Sequence, residues 1–326
     1  MGLIEKLKLK FNKSVVSEEI SQEEINKQKM ETAQMVFDEI MIDIKSISEE
    51  EEYLASKDLD TSVLDKKREK LTTKVLENIE SCPEVMYCQN EDGENLGIIA
   101  IHNHYQDVAD RILDDEKASL QIDNLGFNMG IWLAFLREEK LMEKAMQNEK
   151  LLKFKVPYIS ENYENKYYCG LTMTILAAMD GLDDLVSKAV LDKEVRLQQD
   201  SYGKSVGMHA IETNMKKTLE VIIQDQDAII QQDSCGRNMG MYAIECGLED
   251  VALKIAKNPI AIKQEQHTDR YGYQTFKNMY ALAKQKNMKS VVETIEKVQS
   301  EMSEQESKPD TVFQPLEDLD SIVSAC

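Results

Sequence analysis

The chain has 326 residues and carries 60 Asp and Glu against 39 Lys and Arg, a net charge of −21. That balance excludes a phosphate-reading face, because nucleic-acid contact needs clustered Lys and Arg, and it favours cationic partners. With 42% hydrophobic and 30% charged residues the chain can bury a sizeable core in one or two domains, and no apolar run reaches the roughly 20 residues that span a bilayer.

Residues 1–16 form a basic amphipathic segment. Lys6, Lys8, Lys10 and Lys13 oppose Glu5 alone, and Leu3, Ile4, Leu7 and Phe11 share a helical face. Residues 1–13 therefore fit a weak contact with an anionic membrane surface, with a frayed terminus as the alternative. Lys6 stands where an N-myristoylation signal wants Ser or Thr. The start also lacks the continuous apolar run and cleavage site of a secretory signal.

Residues 17–60 read as a long acidic helix. Met30, Ala33, Phe37, Ile40, Ile44 and Ile47 keep a 3-4-3-4-3 spacing, an apolar seam nearly three heptads long. Two uses are open: docking on the rest of the chain, or a dimer through residues 30–47. The flanking Glu and Asp would repel in a parallel homodimer, which favours docking. Residues 61–88 hold a helix with Leu71, Val75, Leu76 and Ile79 on one face, read as an N-terminal cap.

From residue 89 to 298 the sequence repeats. "DGENLGIIAI", "LGFNMGIWLA", "CGLTMTILAA", "YGKSVGMHAI" and "CGRNMGMYAI" align on Gly93, Gly126, Gly170, Gly203 and Gly236, and a weaker copy, "YGYQTFKNMY", on Gly272. The intervals are 33, 44, 33, 33 and 36 residues, the signature of stacked units. Asp123, Asp200, Asp233 and Asp269 stand three residues before the glycine, which is turn chemistry. Two residues after it stand Asn95, Asn128, Thr172, Ser205, Asn238 and, in the weak copy, Gln274. Five of these are strong helix N-caps. A small-and-apolar stretch follows, then a break such as "DGLDD" or "CGLED", then a second apolar-periodic stretch. Each copy thus predicts a turn and two helices that bury their stripes only by stacking. A phosphate loop is excluded, since such a loop occurs once and follows a strand.

These copies resemble the ankyrin repeat, a 33-residue turn plus two antiparallel helices usually written around T-P-L-H-x-A. Here Leu96, Met129, Met173, Val206 or Met239 stands in place of Pro. Gly97, Gly130, Gly207 and Gly240 stand in place of Leu, and Ile98, Ile131, Ile175, Met208 or Met241 in place of His. The resemblance implies an all-α fold, an α-solenoid of about six ankyrin-like helix-turn-helix repeats with an N-terminal helical extension. It also implies a concave wall made by turn tips and first helices. Ile99, Trp132, Leu176, His209 and Tyr242 would face that wall. Phe127, Tyr202, Lys204, Arg237, Tyr271 and Tyr273 would line the tips. A stripe with Trp, Tyr and Arg suits protein binding.

The longer interval includes "VPYISENYENKYY" with Tyr158, Tyr163, Tyr167 and Tyr168, either an interaction loop or rings packed over a widened junction. Residues 299–326 are acidic and rich in Ser and Gln, the composition of a disordered tail. Six scattered cysteines without a CxxC pair fit reduced thiols in the cytoplasm. No metal ligand set, cofactor motif or nucleophile constellation is readable. The expected function is a non-enzymatic protein-binding scaffold or adaptor. Alternatives are a bacterial-type ankyrin effector acting on another cell's proteins and an adaptor tethered to a membrane surface.

Overall fold

A computed structural model of the chain describes residues 22–57, 59–158, 168–268 and 274–306. The basic segment 1–16, Tyr163, Tyr167, Tyr271, Tyr273 and the tail from residue 307 on lie outside the described residues. The fold is mostly helical. Two compact units divide the chain, Met1–Val221 and Ile222–Cys326.

In the first unit the long helix α1 (Gln22–Ser56) buries Ala33, Val36, Phe37, Ile40, Ile44 and Ile47. They pack against α2 (Asp65–Ser81) and the 3-10 turn Pro83–Tyr87. Helical spacing places these residues on one stripe, and burial of that stripe removes them from water. The seam is therefore spent inside one chain, and a dimer through residues 30–47 would lack a free face there. Met30, expected to join the seam, is 42% exposed. Lys74 on α2 clamps the two helices by donating to Glu39 at 2.8 Å and Asp43 at 2.7 Å.

The first copy then supplies α3 (Leu96–His102), α4 (Gln106–Leu113) and α5 (Glu116–Leu120). The second supplies α6 (Met129–Phe135), α7 (Glu139–Ala145) and α8 (Glu149–Lys153). The third supplies α9 (Met173–Met179), α10 (Asp183–Ala189) and α11 (Lys193–Arg196). The fourth opens with α12 (Val206–Glu212), followed by α13 (Lys216–Ile222). Within this unit α3, α6, α9 and α12 pack successively on one another.

The second unit contains α14 (Gln226–Ile229), α15 (Met239–Glu245), α16 (Glu249–Ile255) and α17 (Pro259–Lys263). A two-stranded hairpin follows, β1 (Glu265–Thr268) paired antiparallel with β2 (Gln274–Asn278). After it come α18 (Met279–Gln285), which packs on α15, and α19 (Lys289–Glu306). No helix among the described residues is long and apolar enough to cross a membrane.

Local chemistry explains the recurrence. Asn95, Asn128, Thr172, Ser205 and Asn238 each cap a first helix, accepting from the backbone N–H three residues on. A left-handed residue separates first from second helix in every copy: His104, Arg137, Gly181, Asn214, Gly247 and Asn287. Three expectations change. The sequence predicts two helices per copy, whereas the structure has a third, short one, capped by Asp115, Asn148, Asp192, Asp225 or Asn258. In the weak copy the paired strands β1 and β2 flank the expected turn, whose Asp269 and Gly272 lie outside the described residues. The cap there is Asn278, accepting from Ala281 N–H at 3.0 Å, not Gln274. The last helix also continues past residue 299, where the tail was expected to begin, as far as Glu306.

The third helix carries a relay. Asn95 Nδ2 donates to Ala118 O at 2.6 Å and Gln121 Oε1 at 3.0 Å, and Gln121 Nε2 donates to Tyr87 O at 3.1 Å. Asn238 repeats it with Ala261 O and Gln264 Oε1, both at 2.8 Å, and Gln264 reaches Ile230 O at 2.6 Å. Thr172 uses Gln198 at 2.7 Å, and Gln198 reaches Leu152 O at 3.1 Å. One cap side chain therefore ties the start of the first helix to the end of the third.

Glycines inside the first helices are not equivalent. A Cβ on Gly130 would sit 3.4 Å from Asn128 Oδ1 and 3.5 Å from Met173 Sδ, ordinary contact. Gly130→Ala is expected to stabilise the protein by about 0.5 kcal/mol through helix propensity, seen as a higher urea midpoint. Gly97 differs, because its Cβ would collide with Met129 Sδ and approach Ile112 Cγ2 at 3.0 Å. Gly97→Ala is expected to show no such gain.

Candidate functional site

The turn aspartates organise the face on which a partner was expected. Asp123 Oδ1 accepts from the N–H groups of Leu125 at 2.8 Å and Phe127 at 2.9 Å. Asp200 does the same for Tyr202 and Lys204, and Asp233 for Cys235 and Arg237, all at 2.9 Å. The second carboxylate oxygen takes the residue nine positions on. Trp132 Nε1 donates to Asp123 Oδ2 at 2.7 Å, and Tyr242 Oη donates to Asp233 Oδ2 at 2.9 Å. His209 Nε2 lies 3.1 Å from Asp200 Oδ2. Three of the residues predicted to face a wall, Trp132, His209 and Tyr242, thus strap their turns to their first helices.

Burial sorts the predicted residues. Ile99, Leu176, His209, Tyr242 and Phe127 are buried, whereas Trp132 is half-buried. Tyr202 is 58% exposed. Arg237 is half-buried, with its guanidinium 4.4 Å from the centre of the Tyr242 ring and bonded to Asp233 at 2.8 Å. Lys204 pairs with Glu212.

A second pattern was not foreseen. In five copies the residue just before the cap of the first helix pairs with the residue eight positions on, near the end of that helix. Glu94 and His102 approach to 3.0 Å. Phe127 and Phe135 stack with centroids 5.3 Å apart. Lys204 meets Glu212, Arg237 meets Glu245 at 3.4 Å, and Lys277 donates to Gln285 at 3.3 Å. The corresponding positions in the third copy hold Leu171 and Met179. The signal lies in the sequence as complementary types at a fixed offset of eight, visible only once the turn is known to fold back on the helix.

The aromatic pair anchors a cluster in the first unit. Trp132 meets His102 edge-on at 4.3 Å and Phe127 at 5.4 Å, and Tyr168 contacts Phe127 at 5.2 Å and Phe135 at 5.5 Å. Trp132, Phe135 and Tyr168 remain half-buried. Leu136, beside Phe135 in the chain, is 40% exposed, and Met179 on α9, which packs against α6, is 49% exposed. His102 Nε2 is buried without a hydrogen-bond partner. Such half-exposed, edge-packed rings with an unmet polar atom are suited to closing against another surface. Of the tyrosines flanking the insertion, Tyr168 joins this cluster and Tyr158 is exposed.

Asp123 and Asp200 are shifted in opposite directions. Burial pushes the Asp123 carboxyl above the ordinary value; the hydrogen bonds from Phe127, Trp132 and Leu125 do not cancel it, and the Glu94 charge adds to it. Burial also acts on Asp200, but the His209 bond and the backbone N–H groups outweigh it and hold this carboxyl low. The His209-strapped turn therefore contributes stability that is present above the usual aspartate range and is lost as pH falls through the depressed folded value. Asp123 has the opposite sign, its contribution fading as pH rises from the usual range towards its raised folded value. Asp200→Asn is expected to flatten the fall in urea midpoint between about pH 6 and about pH 3; an unchanged slope would exclude the His209 strap as its source.

No cluster of three His, Cys, Asp or Glu able to hold a metal is present among the described residues. No family model matches the chain. No curated protein matches it either.

Proposed function

We propose that the protein is an ankyrin-like solenoid of about six repeats acting as a non-enzymatic scaffold or adaptor, with a protein partner held on the face of turn tips and first helices. The half-buried aromatic cluster of Trp132, Phe135 and Tyr168 carries this reading. Rings that are fixed by packing and still partly open provide contact area at low entropic cost, the character of a binding hot spot. The recurrent turn, cap and helices support the ankyrin-like reading, and the free thiols of Cys82, Cys88 and Cys169 fit action in the reducing cytoplasm.

The binding residues in this reading shift from the buried stripe to the open rim: Trp132, Phe135, Leu136, Tyr168 and Met179. The test is a quantitative affinity capture comparing the parent with Phe135→Ala/Met179→Ala and with Ile42→Ser, an exposed control on α1. Selective loss of a partner by the double variant, at an unchanged melting temperature, is the expected result. Identical partner profiles for all three proteins would remove this face from the function.

A further inference from the structure

We infer that the aromatic patch takes an extended segment of a partner in which a lysine or arginine stands about three residues from an aromatic or aliphatic side chain. This rests on the binding role proposed above and specifies its chemistry.

The tips of the first four copies form an ordered row. Asn124 N–H donates to Asp92 O, and Asn124 Nδ2 to Glu91 O, both at 2.9 Å, which joins the first tip to the second. The Phe127–Tyr168 contact at 5.2 Å joins the second to the third. A Cβ on Gly170 would come within 2.9 Å of Ser201 N, which places the third against the fourth.

Chemistry changes along the row. The first tip reads Asn90-Glu91-Asp92-Gly93-Glu94. Glu91 and Asp92 are exposed, and neither joins an ion pair among the described residues. The second and third copies present Trp132, Phe135, Leu136, Tyr168 and Met179. The cation beside them, Arg137, is engaged by Asp180 at 2.5 Å. An acidic tip thus stands next to an open apolar surface on a chain of net charge −21.

A matching segment places a cation at Glu91 and Asp92 and its apolar side chain on the rings, where Trp132 also attracts cations through its face. Helices stack at about 8–10 Å and an extended chain advances about 3.3 Å per residue. Side chains anchored on successive copies are therefore about three residues apart.

The probe is a fluorescein-labelled peptide with lysine, phenylalanine and leucine, in that order, at three-residue spacing in a serine–glycine background. Binding to the full chain is followed by fluorescence anisotropy. Replacing the lysine by glutamate is expected to weaken binding at least about tenfold. Glu91→Lys/Asp92→Lys is expected to reverse that preference, and Leu136→Ser/Met179→Ser to weaken both peptides alike. All four positions are open to solvent, and matched melting temperatures control for folding.

Equal binding of the lysine and glutamate peptides, or no binding of either, overturns the inference. So does loss of a dimer in sedimentation equilibrium of Leu136→Ser/Met179→Ser, which assigns the patch to a second copy. Peptide binding that emerges only after removal of residues 1–16 assigns it to the chain's own basic segment, with the same consequence. If Phe135→Ala/Met179→Ala releases a cellular partner while the charge variants change nothing, the binding face stands and the cationic class falls.

Discussion

Asn238→Ala is expected to destabilise the second unit by about 3 kcal/mol. Asn238 is fully buried. Its Oδ1 accepts from Met241 N–H at 3.0 Å, and its Nδ2 donates to Ala261 O and Gln264 Oε1. Loss of an N-cap costs about 1 kcal/mol, and each buried acceptor left without a donor adds about 1–3 kcal/mol before relaxation. Asn278 provides the internal comparison. It caps α18 through a single bond to Ala281 N–H and is half-buried, so Asn278→Ala is expected to cost about 1 kcal/mol. Urea midpoints of the two variants measure the difference, and hydrogen exchange of the α15 and α17 amides locates it. Equal costs would mean that the relay to Gln264 adds nothing beyond a helix cap.

Gly236→Ala is expected to cost about 3 kcal/mol. Gly236 has φ +84°, and a Cβ there would sit 2.6 Å from Glu265 O and 3.2 Å from His267 N–H. Both partners belong to β1, whose His267 N–H donates to Cys235 O at 2.8 Å, so neither can withdraw without breaking the hairpin's hold on the turn. Left-handed strain of about 1 kcal/mol then adds to the cost of displacing backbone. Gly247 separates the two terms. It has φ +79° with nothing within 4 Å of a Cβ, and Gly247→Ala is expected to cost only the strain, about 1 kcal/mol. Melting curves of the two variants that coincide would refute the close approach of turn and hairpin.

Much of the local architecture is legible in the residues. The spacing of Gly93, Gly126, Gly170, Gly203 and Gly236 marks the turns, and Asn95, Asn128, Thr172, Ser205 and Asn238 mark the helix starts. Both signals are strong because few residue types satisfy a positive φ or cap a helix. The short third helices hold four or five residues, too few to show a 3.6-residue period. Their trace is an Asx cap at Asp115, Asn148, Asp192, Asp225 and Asn258, which keeps the intervals of the lead glycines. The strand pair β1 and β2 is hidden in the sequence because Gly272 imitates a lead glycine.

The candidate site was harder to read. Ile99, Trp132, Leu176, His209 and Tyr242 were singled out by helical position, and periodicity identifies an inward-leaning stripe without saying what it meets. The answer lay nine residues upstream, in Asp123, Asp200 and Asp233, whose second oxygen is invisible to a search for turns. Phe135 and Met179 went unnoticed for a related reason. They sit at the end of a seven-residue helix, and Phe135 meets Phe127 only through the fold-back of the tip.

The pairing across an offset of eight gives five of the copies a local cassette. Glu94 with His102, Phe127 with Phe135, and Lys204 with Glu212 occupy one geometric slot with three chemistries. A cassette can be transplanted from one copy to another as a matched couple, leaving the caps and strapped turns beneath it untouched. Surface chemistry can therefore drift copy by copy while the framework stays constant, and a lineage or a designer can rewrite the surface of the row by exchanging two residues at a time.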